Sequence, residues 1–378
     1  MSADNFVLLP QLKCLMNYLW LLIGLIVLML GAELLVRGAV ALAELAKISP
    51  LVIGLTVLAF GTSAPELAVS AVSSLEGEAE IAFGNVVGSN IVNLLLILGL
   101  SAAIVPLSVS RRLLRVDVPI MVVASFAAWV AAMNGTISRL EGAAMLAAFF
   151  IYNAWLLHST ARDKRVAKAA AAELGETADF DKVPFSKFVL NALLVLIGLG
   201  LLVVGAQLLV DSATNIARAI GVSDVVIGLT IVAIGTSLPE LATSLAAAIK
   251  GERDMAVGNV VGSNLFNLLL VLSTAAILAP TGIPVSQDVI WFDLAFMTLV
   301  ALLCWPMCQT QMQVTRTEGI TLALLYVAYA SILVADAKGV TMVTTLKPIL
   351  CYAIIPLLIL GILGKSMLTK RRRYITEK

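Results

Sequence analysis

The sequence predicts an all-α polytopic membrane protein built from two inverted five-helix repeats plus one extra C-terminal helix. Three observations lead there: a composition too apolar for a soluble chain, a succession of apolar runs long enough to cross a bilayer, and a likeness between the two halves of the chain. Of 378 residues, 60% are hydrophobic and only 13% charged, and the mean hydropathy is +1.02. These values exclude a cytosolic enzyme, a secreted disulfide scaffold and a nucleic-acid binder. Lys and Arg (25) almost balance Asp and Glu (24), so no overall field gathers polyanions and the placement of charge carries the information. Cys14, Cys304, Cys308 and Cys351 lie scattered in apolar segments without paired spacing and are expected simply to pack.

Eleven spans are expected, at 16–42, 51–74, 80–104, 116–134, 139–158, 187–212, 225–248, 255–278, 288–308, 318–335 and 347–365. No basic head precedes the first run, so it reads as a retained span rather than a cleaved leader. Placing the N-terminus outside puts 20 basic residues on the cytoplasmic side, among them Arg111, Arg112, Arg115, the six bases from Arg162 to Lys187, and the tail from Lys365 to Lys378. Five remain outside: Lys13, Arg139, Arg218, Lys338 and Lys347. Basic loops are retained in the cytoplasm, so this orientation is expected, with the C-terminus inside. The hydrophilic segment from Ser159 to Ser186 reads as a cytoplasmic linker. It divides a first unit (1–158) from a second (187–336), and 337–378 adds a further span and a basic tail.

Laid on itself at an offset of 174, the chain aligns 31–99 with 205–273 without a gap, with 37 of 69 positions identical. Gly54-Leu55-Thr56 recurs as Gly228-Leu229-Thr230, and Gly84 to Asn90 recurs letter for letter as Gly258 to Asn264. A weaker likeness follows at an offset of 176, where Asp117 answers Asp293. The unit is therefore about five spans. An odd number makes the second copy enter from the opposite face, which is the architecture of an inverted repeat.

Each repeat then sets a helix-breaker beside an acid in mid-span: Pro65 with Glu66, and Pro239 with Glu240. Proline removes the amide that would bond the carbonyl of Gly61 or Gly235, so each helix should break there and free carbonyl oxygen. At helical spacing Thr62 and Ser63 share the face of Glu66, as Thr236 and Ser237 share that of Glu240. The next helix offers Ser89 and Asn93 in one copy, and Ser263 and Asn267 in the other. All these donors are oxygens, which suits hard cations such as Ca²⁺ or Na⁺. A carboxylate at the bilayer centre costs about 3 kcal/mol, so packing alone would not retain two.

Other polar residues have plainer expectations. Gly84, Gly88, Gly258 and Gly262 should let helices approach closely. Glu33 and Arg37 should form a structural pair, Asp117 and Asp293 should sit at the interface as helix heads, and Glu76, Glu78 and Glu80 form a solvated turn. His158 should be uninvolved.

The duplicated GTSxPE segments, each followed by GNVVGSN and a downstream Asn, resemble the two alpha repeats of the cation/Ca²⁺ antiporter superfamily, and are most similar to the bacterial inner-membrane sodium/calcium exchangers. The resemblance implies a ten-helix core with cations between its second, third, seventh and eighth helices. It implies ligation by the carbonyls of Ala59 and Ala233, by Thr62, Ser63, Glu66, Thr236, Ser237 and Glu240, and by Ser89, Asn93, Ser263 and Asn267. It also implies a first and sixth helix that slide across the rest. One position departs: many relatives carry Asp where this chain has Asn267, which argues against potassium cotransport through the usual ligand.

Two converging glutamates make a site of charge −2, which one Ca²⁺, two Na⁺ or two H⁺ would neutralise. The expected activity is Ca²⁺/Na⁺ antiport without a cofactor, with Ca²⁺/H⁺ antiport as the alternative. The expected partners are the bilayer and inorganic cations, with no nucleic acid and no protein partner. An intramembrane hydrolase is disfavoured because HExxH, GxGD and a Ser with a His partner are absent from the sequence.

Overall fold

The computed structural model describes residues 4–173, 185–221, 233–309 and 312–364. Among them, nine helices are long and apolar enough to span a membrane: α1 (Leu15–Ala46), α4 (Ala79–Ile104), α5 (Leu113–Ala132), α6 (Arg139–Arg162), α7 (Ser186–Ala219), α9 (Arg253–Leu278), α10 (Val289–Gln309), α11 (Arg316–Ala337) and α12 (Val343–Gly364). A tenth span is the pair α2 (Pro50–Thr62) and α3 (Ala64–Leu75), bent by 44°. Its repeat mate is visible as α8 (Leu238–Ile249), preceded by one turn at Ala233–Gly235. The rest of the seventh span, with Gly228-Leu229-Thr230, lies outside the described residues, as do the middle of the linker and the basic tail.

Local chemistry explains where these helices begin. The Ser49 side chain accepts from the amide of Val52, and Pro50 takes the first helical position, where a missing amide costs nothing. At α11, Thr315 and Glu318 close a reciprocal capping box. The α6 helix continues through Glu173, well past Ser159, so the linker begins as helix.

Two short antiparallel ribbons tie the loops. Leu107 and Ser108 pair with Val314 and Gln313, and Thr136 and Ile137 pair with Pro284 and Ile283. Each ribbon joins two loops that an eleven-span count puts on the same side of the bilayer. The offset of 176 carries the first strand of one ribbon onto a strand of the other, as an inverted repeat requires.

The most intimate contact lies between α1 and α7. Gly24, Gly31 and Gly38, spaced by seven, face Gly205, Gly198 and Asn191 in antiparallel order. A Cβ at Gly31 would stand 2.7 Å from the Leu202 amide nitrogen, and one at Gly198 would stand 2.6 Å from that of Leu35. Backbone therefore touches backbone, the small-residue device of membrane helices. Cys304, Cys308 and Cys351 are buried free thiols, as packing residues should be.

Candidate cation site

The broken helices bring the two acids to one place. Both copies break at the serine two residues before the proline: Ser63 has φ −85° and ψ 5°, and Ser237 has φ −92° and ψ 7°. Pro65 and Pro239 then open the next helix, so Glu66 and Glu240 fall in its first turn, where the positive end of the helix favours an anion. Both residues are buried, at 1% and 0% exposure. The Ser63 hydroxyl donates to Glu240 Oε1 at 3.1 Å, crossing from one repeat to the other. Glu66 Oε2 and Glu240 Oε2 have no protein partner.

The other candidate ligands differ in what their polar atoms bond. Ser89, Asn93, Ser263 and Asn267 are all buried. The hydroxyls of Ser89 and Ser263 and both amide atoms of Asn93 and Asn267 lack protein partners, as does the Ser237 hydroxyl. Buried polar atoms of this density are normally satisfied within the protein; here they form a set of oxygens suited to a hard cation. The Thr62 hydroxyl instead donates to the Leu58 carbonyl at 3.0 Å. The Ala59 carbonyl accepts from the Ser63 amide at 3.0 Å, keeping one lone pair. In the second copy the Ser237 amide turns to Ile234 at 3.0 Å, so it leaves the Ala233 carbonyl. The helical ladder of α4 widens to a π-turn over Val92–Ile97, and that of α9 over Asn267–Val271, so Asn93 and Asn267 both sit on irregular backbone. π-turns are frequent at functional sites, though Leu113–Asp117, Val289–Leu294 and Leu350–Ile354 carry them as well.

One residue pair escaped the sequence reading. Asn85 Nδ2 donates to the Glu66 carbonyl at 3.3 Å and to Ser70 Oγ at 2.9 Å, while the Thr236 hydroxyl meets Asn85 Oδ1 at 3.5 Å. Asn85 thus ties the first acid's backbone to the second repeat. Its mate Asn259 donates to Ser244 at 2.9 Å. The signal was present: Asn85, Ser89 and Asn93 stand four apart on one face.

These residues place the chain among known proteins. The sodium/calcium exchanger protein family matches residues 16–158 and 190–335. The chain belongs to the sodium/calcium exchanger family. It is 31% identical over 345 residues to the sodium/calcium exchanger MaX1 of Methanosarcina acetivorans, covering 84% of this chain and 98% of that one. It is 35% identical over 318 residues to the inner membrane protein YrbG of Escherichia coli, covering 81% and 95%. The structure of the sodium-calcium exchanger NCX_Mj soaked with 10 mM Na⁺ superposes with a TM-score of 0.71 at 33% identity, covering 86% of this chain and 99% of that one. As a member of this family the chain is a multi-pass membrane antiporter, not an enzyme.

One expectation for this exchanger needs correction, and two others are met in part or with an addition. Asp117 is fully buried, not interfacial: Tyr152 donates to its Oδ1 at 3.0 Å and Arg112 lies 3.9 Å from its Oδ2. Asp293 is likewise held by Tyr329 at 2.6 Å. The two tyrosines lie on other helices, 35 and 36 residues away, beyond the reach of local pattern. Glu33 pairs with Arg37 at 3.4 Å but more closely with Lys250 at 2.6 Å, so it anchors α1 to the loop after α8.

The glycines meet their expectation in the second copy. Gly258 and Gly262 pack tightly, a Cβ at Gly262 falling 2.7 Å from the Ala59 Cβ and 3.0 Å from the Leu55 Cα. The segment 225–232 that would answer Leu51–Leu58 against Gly84 and Gly88 lies outside the described residues. Gly262→Ala is expected to destabilise by about 1–3 kcal/mol through overpacking, a loss that thermal unfolding in detergent checks.

Proposed function

We propose that this exchanger moves Ca²⁺ against Na⁺ by alternating access, at a site formed by Glu66, Glu240, Thr62, Ser63, Thr236, Ser237, Ser89, Asn93, Ser263 and Asn267 with the carbonyls of Ala59 and Ala233. The observation that supports this is the Ser63 hydroxyl bonding Glu240 across the repeats at 3.1 Å, which sets Glu240 against the helix break that carries Glu66. Ca²⁺ takes six to eight oxygens, and carboxylate, hydroxyl, amide and carbonyl oxygens are at hand. Filled with one Ca²⁺ or with Na⁺, the site loses its net charge and can be occluded. Emptied, it would bury uncompensated carboxylates, which is costly in low dielectric. Exchange rather than leak follows, because the empty carrier resists closing. The positive-inside distribution supports an N-terminus outside and a C-terminus in the cytoplasm, in a bacterial inner membrane.

The test is Ca²⁺ flux into proteoliposomes with sodium, potassium and proton gradients imposed separately. Uptake driven by a sodium gradient is expected. Uptake driven only by a pH step in sodium-free buffer would replace sodium with protons as the counter-ion.

Asn267 sets the charge of the site. Asn267→Asp would raise it to −3, so one Ca²⁺ would leave a buried charge uncompensated and a further monovalent cation would be required. Exchange by this variant is expected to become dependent on potassium or on pH where the parent is not. Identical rates for both across potassium and pH series would contradict this account of the site's charge.

A further inference from the structure

We propose that Asp293 recruits cations for this exchanger, concentrating Ca²⁺ in the cavity that leads to Ser89. The inference rests on the exchange activity proposed above and adds a residue outside the ligand set. Asp293 lies in the wall of the 580 Å³ cavity that Asn85, Ser89 and Thr236 also line. The Tyr329 ring stacks on Phe296 at 4.6 Å, which fixes its hydroxyl against Asp293 Oδ1 at 2.6 Å. Ser89, 1% exposed and with a hydroxyl lacking any protein partner, supplies a second polar group on the same wall. Carboxylate and hydroxyl oxygen along one passage suit a hard cation.

The comparison between repeats sharpens the assignment. Asp117, the counterpart of Asp293, is sealed from solvent and faces Arg112 at 3.9 Å. At the offset of 176, the position of Arg112 is taken by Asp288. The charges that act on Asp293 are Lys347, Asp336 and Asp288. Lys347 is engaged by Asp336 at 2.6 Å and lies with it and Asp288 around a neighbouring hollow, so Asp293 is the carboxylate of the cavity wall itself. The two faces of the exchanger are therefore electrostatically unlike. A cation approaching through the face that bears loops 76–78 and 279–288 meets a negative wall, and a focused field of this kind raises local ion concentration.

The experiment measures apparent KM for Ca²⁺ and Na⁺ in right-side-out and inverted vesicles, for the parent, Asp293→Asn and Asp293→Glu. A unit charge about 8 Å from the ion path in a wet mouth should change the local concentration of a divalent ion about fivefold and of a monovalent ion about twofold. Asp293→Asn is expected to raise KM by these factors at one face only, the Ca²⁺ factor being the square of the Na⁺ factor. Asp293→Glu should restore the parent values. A purely structural role would lower the saturated rate at both faces without that valence relation. Should Asp293→Asn fail to accumulate, the parent alone serves: its KM should rise more steeply with ionic strength at one face than at the other. Equal KM changes at both faces, no change at either, or equal salt dependence would overturn the proposal. Absence of sodium-driven flux in the parent would instead remove the exchange activity on which it rests, and the proposal with it.

Discussion

Glu66→Gln or Glu240→Gln is expected to abolish sodium-driven Ca²⁺ exchange while leaving the folded protein intact. Removing one member of a buried charge interaction costs about 2–5 kcal/mol, and each 1.4 kcal/mol is tenfold in affinity, so apparent Ca²⁺ affinity should fall by roughly 30- to 3,000-fold. The substitution is nearly isosteric, and a glutamine at position 240 can still accept from Ser63. A second measurement separates a ligand from a structural acid. Without ions the parent buries two carboxylates within electrostatic reach of each other, an arrangement that like charges disfavour. In chelator and sodium-free buffer the Gln variants should therefore be at least as stable as the parent. On adding Ca²⁺ the parent should gain about 2.7 kcal/mol at a hundredfold excess over Kd, which the variants should lose. Wild-type flux in either variant, or lower stability in ion-free buffer, would show that these acids hold the fold instead of the cation.

That the sequence pointed to these two acids, and not to Asn85 or Asp293, has a physical reason. A glutamate in mid-membrane is costly wherever the chain folds, so its presence alone demands compensation. The spans were readable for a similar reason, since bilayer thickness fixes their length independently of packing. Asn85 is different: its spacing puts it on the face of Ser89 and Asn93, but its partners, the Glu66 backbone and Thr236, lie on other helices and are not named by spacing along one helix.

The second large effect is expected from a pair of glycines two residues apart on α7. Gly198→Leu should abolish folding or transport, whereas Gly200→Leu should be silent. A Cβ at Gly198 would stand 2.6 Å from the Leu35 amide nitrogen and 2.8 Å from the Gly31 carbonyl oxygen, atoms that belong to backbone and cannot swing aside. The α1–α7 seam would have to part along its length, losing the paired approaches at Gly24 with Gly205 and at Gly38 with Asn191. Overpacking alone costs 1–3 kcal/mol, and here, with main chain on both sides, at least about 3 kcal/mol is expected. Gly200 is exposed and has no described atom within 4 Å of a Cβ placed there. A leucine at that position faces lipid and replaces a poor helix former, so stability should hold or rise by up to about 1 kcal/mol. Unfolding midpoints in detergent and ⁴⁵Ca²⁺ flux in proteoliposomes test both. The seam has a further property: the offset of 174 carries Gly24 onto Gly198 and Gly31 onto Gly205, so the contact between Gly24 and Gly205 maps onto that between Gly198 and Gly31. A damaged seam therefore damages both repeats alike, and Gly31→Leu should reproduce the loss seen at Gly198. Tolerance of leucine at either position would mean that α1 and α7 are not joined through their backbones.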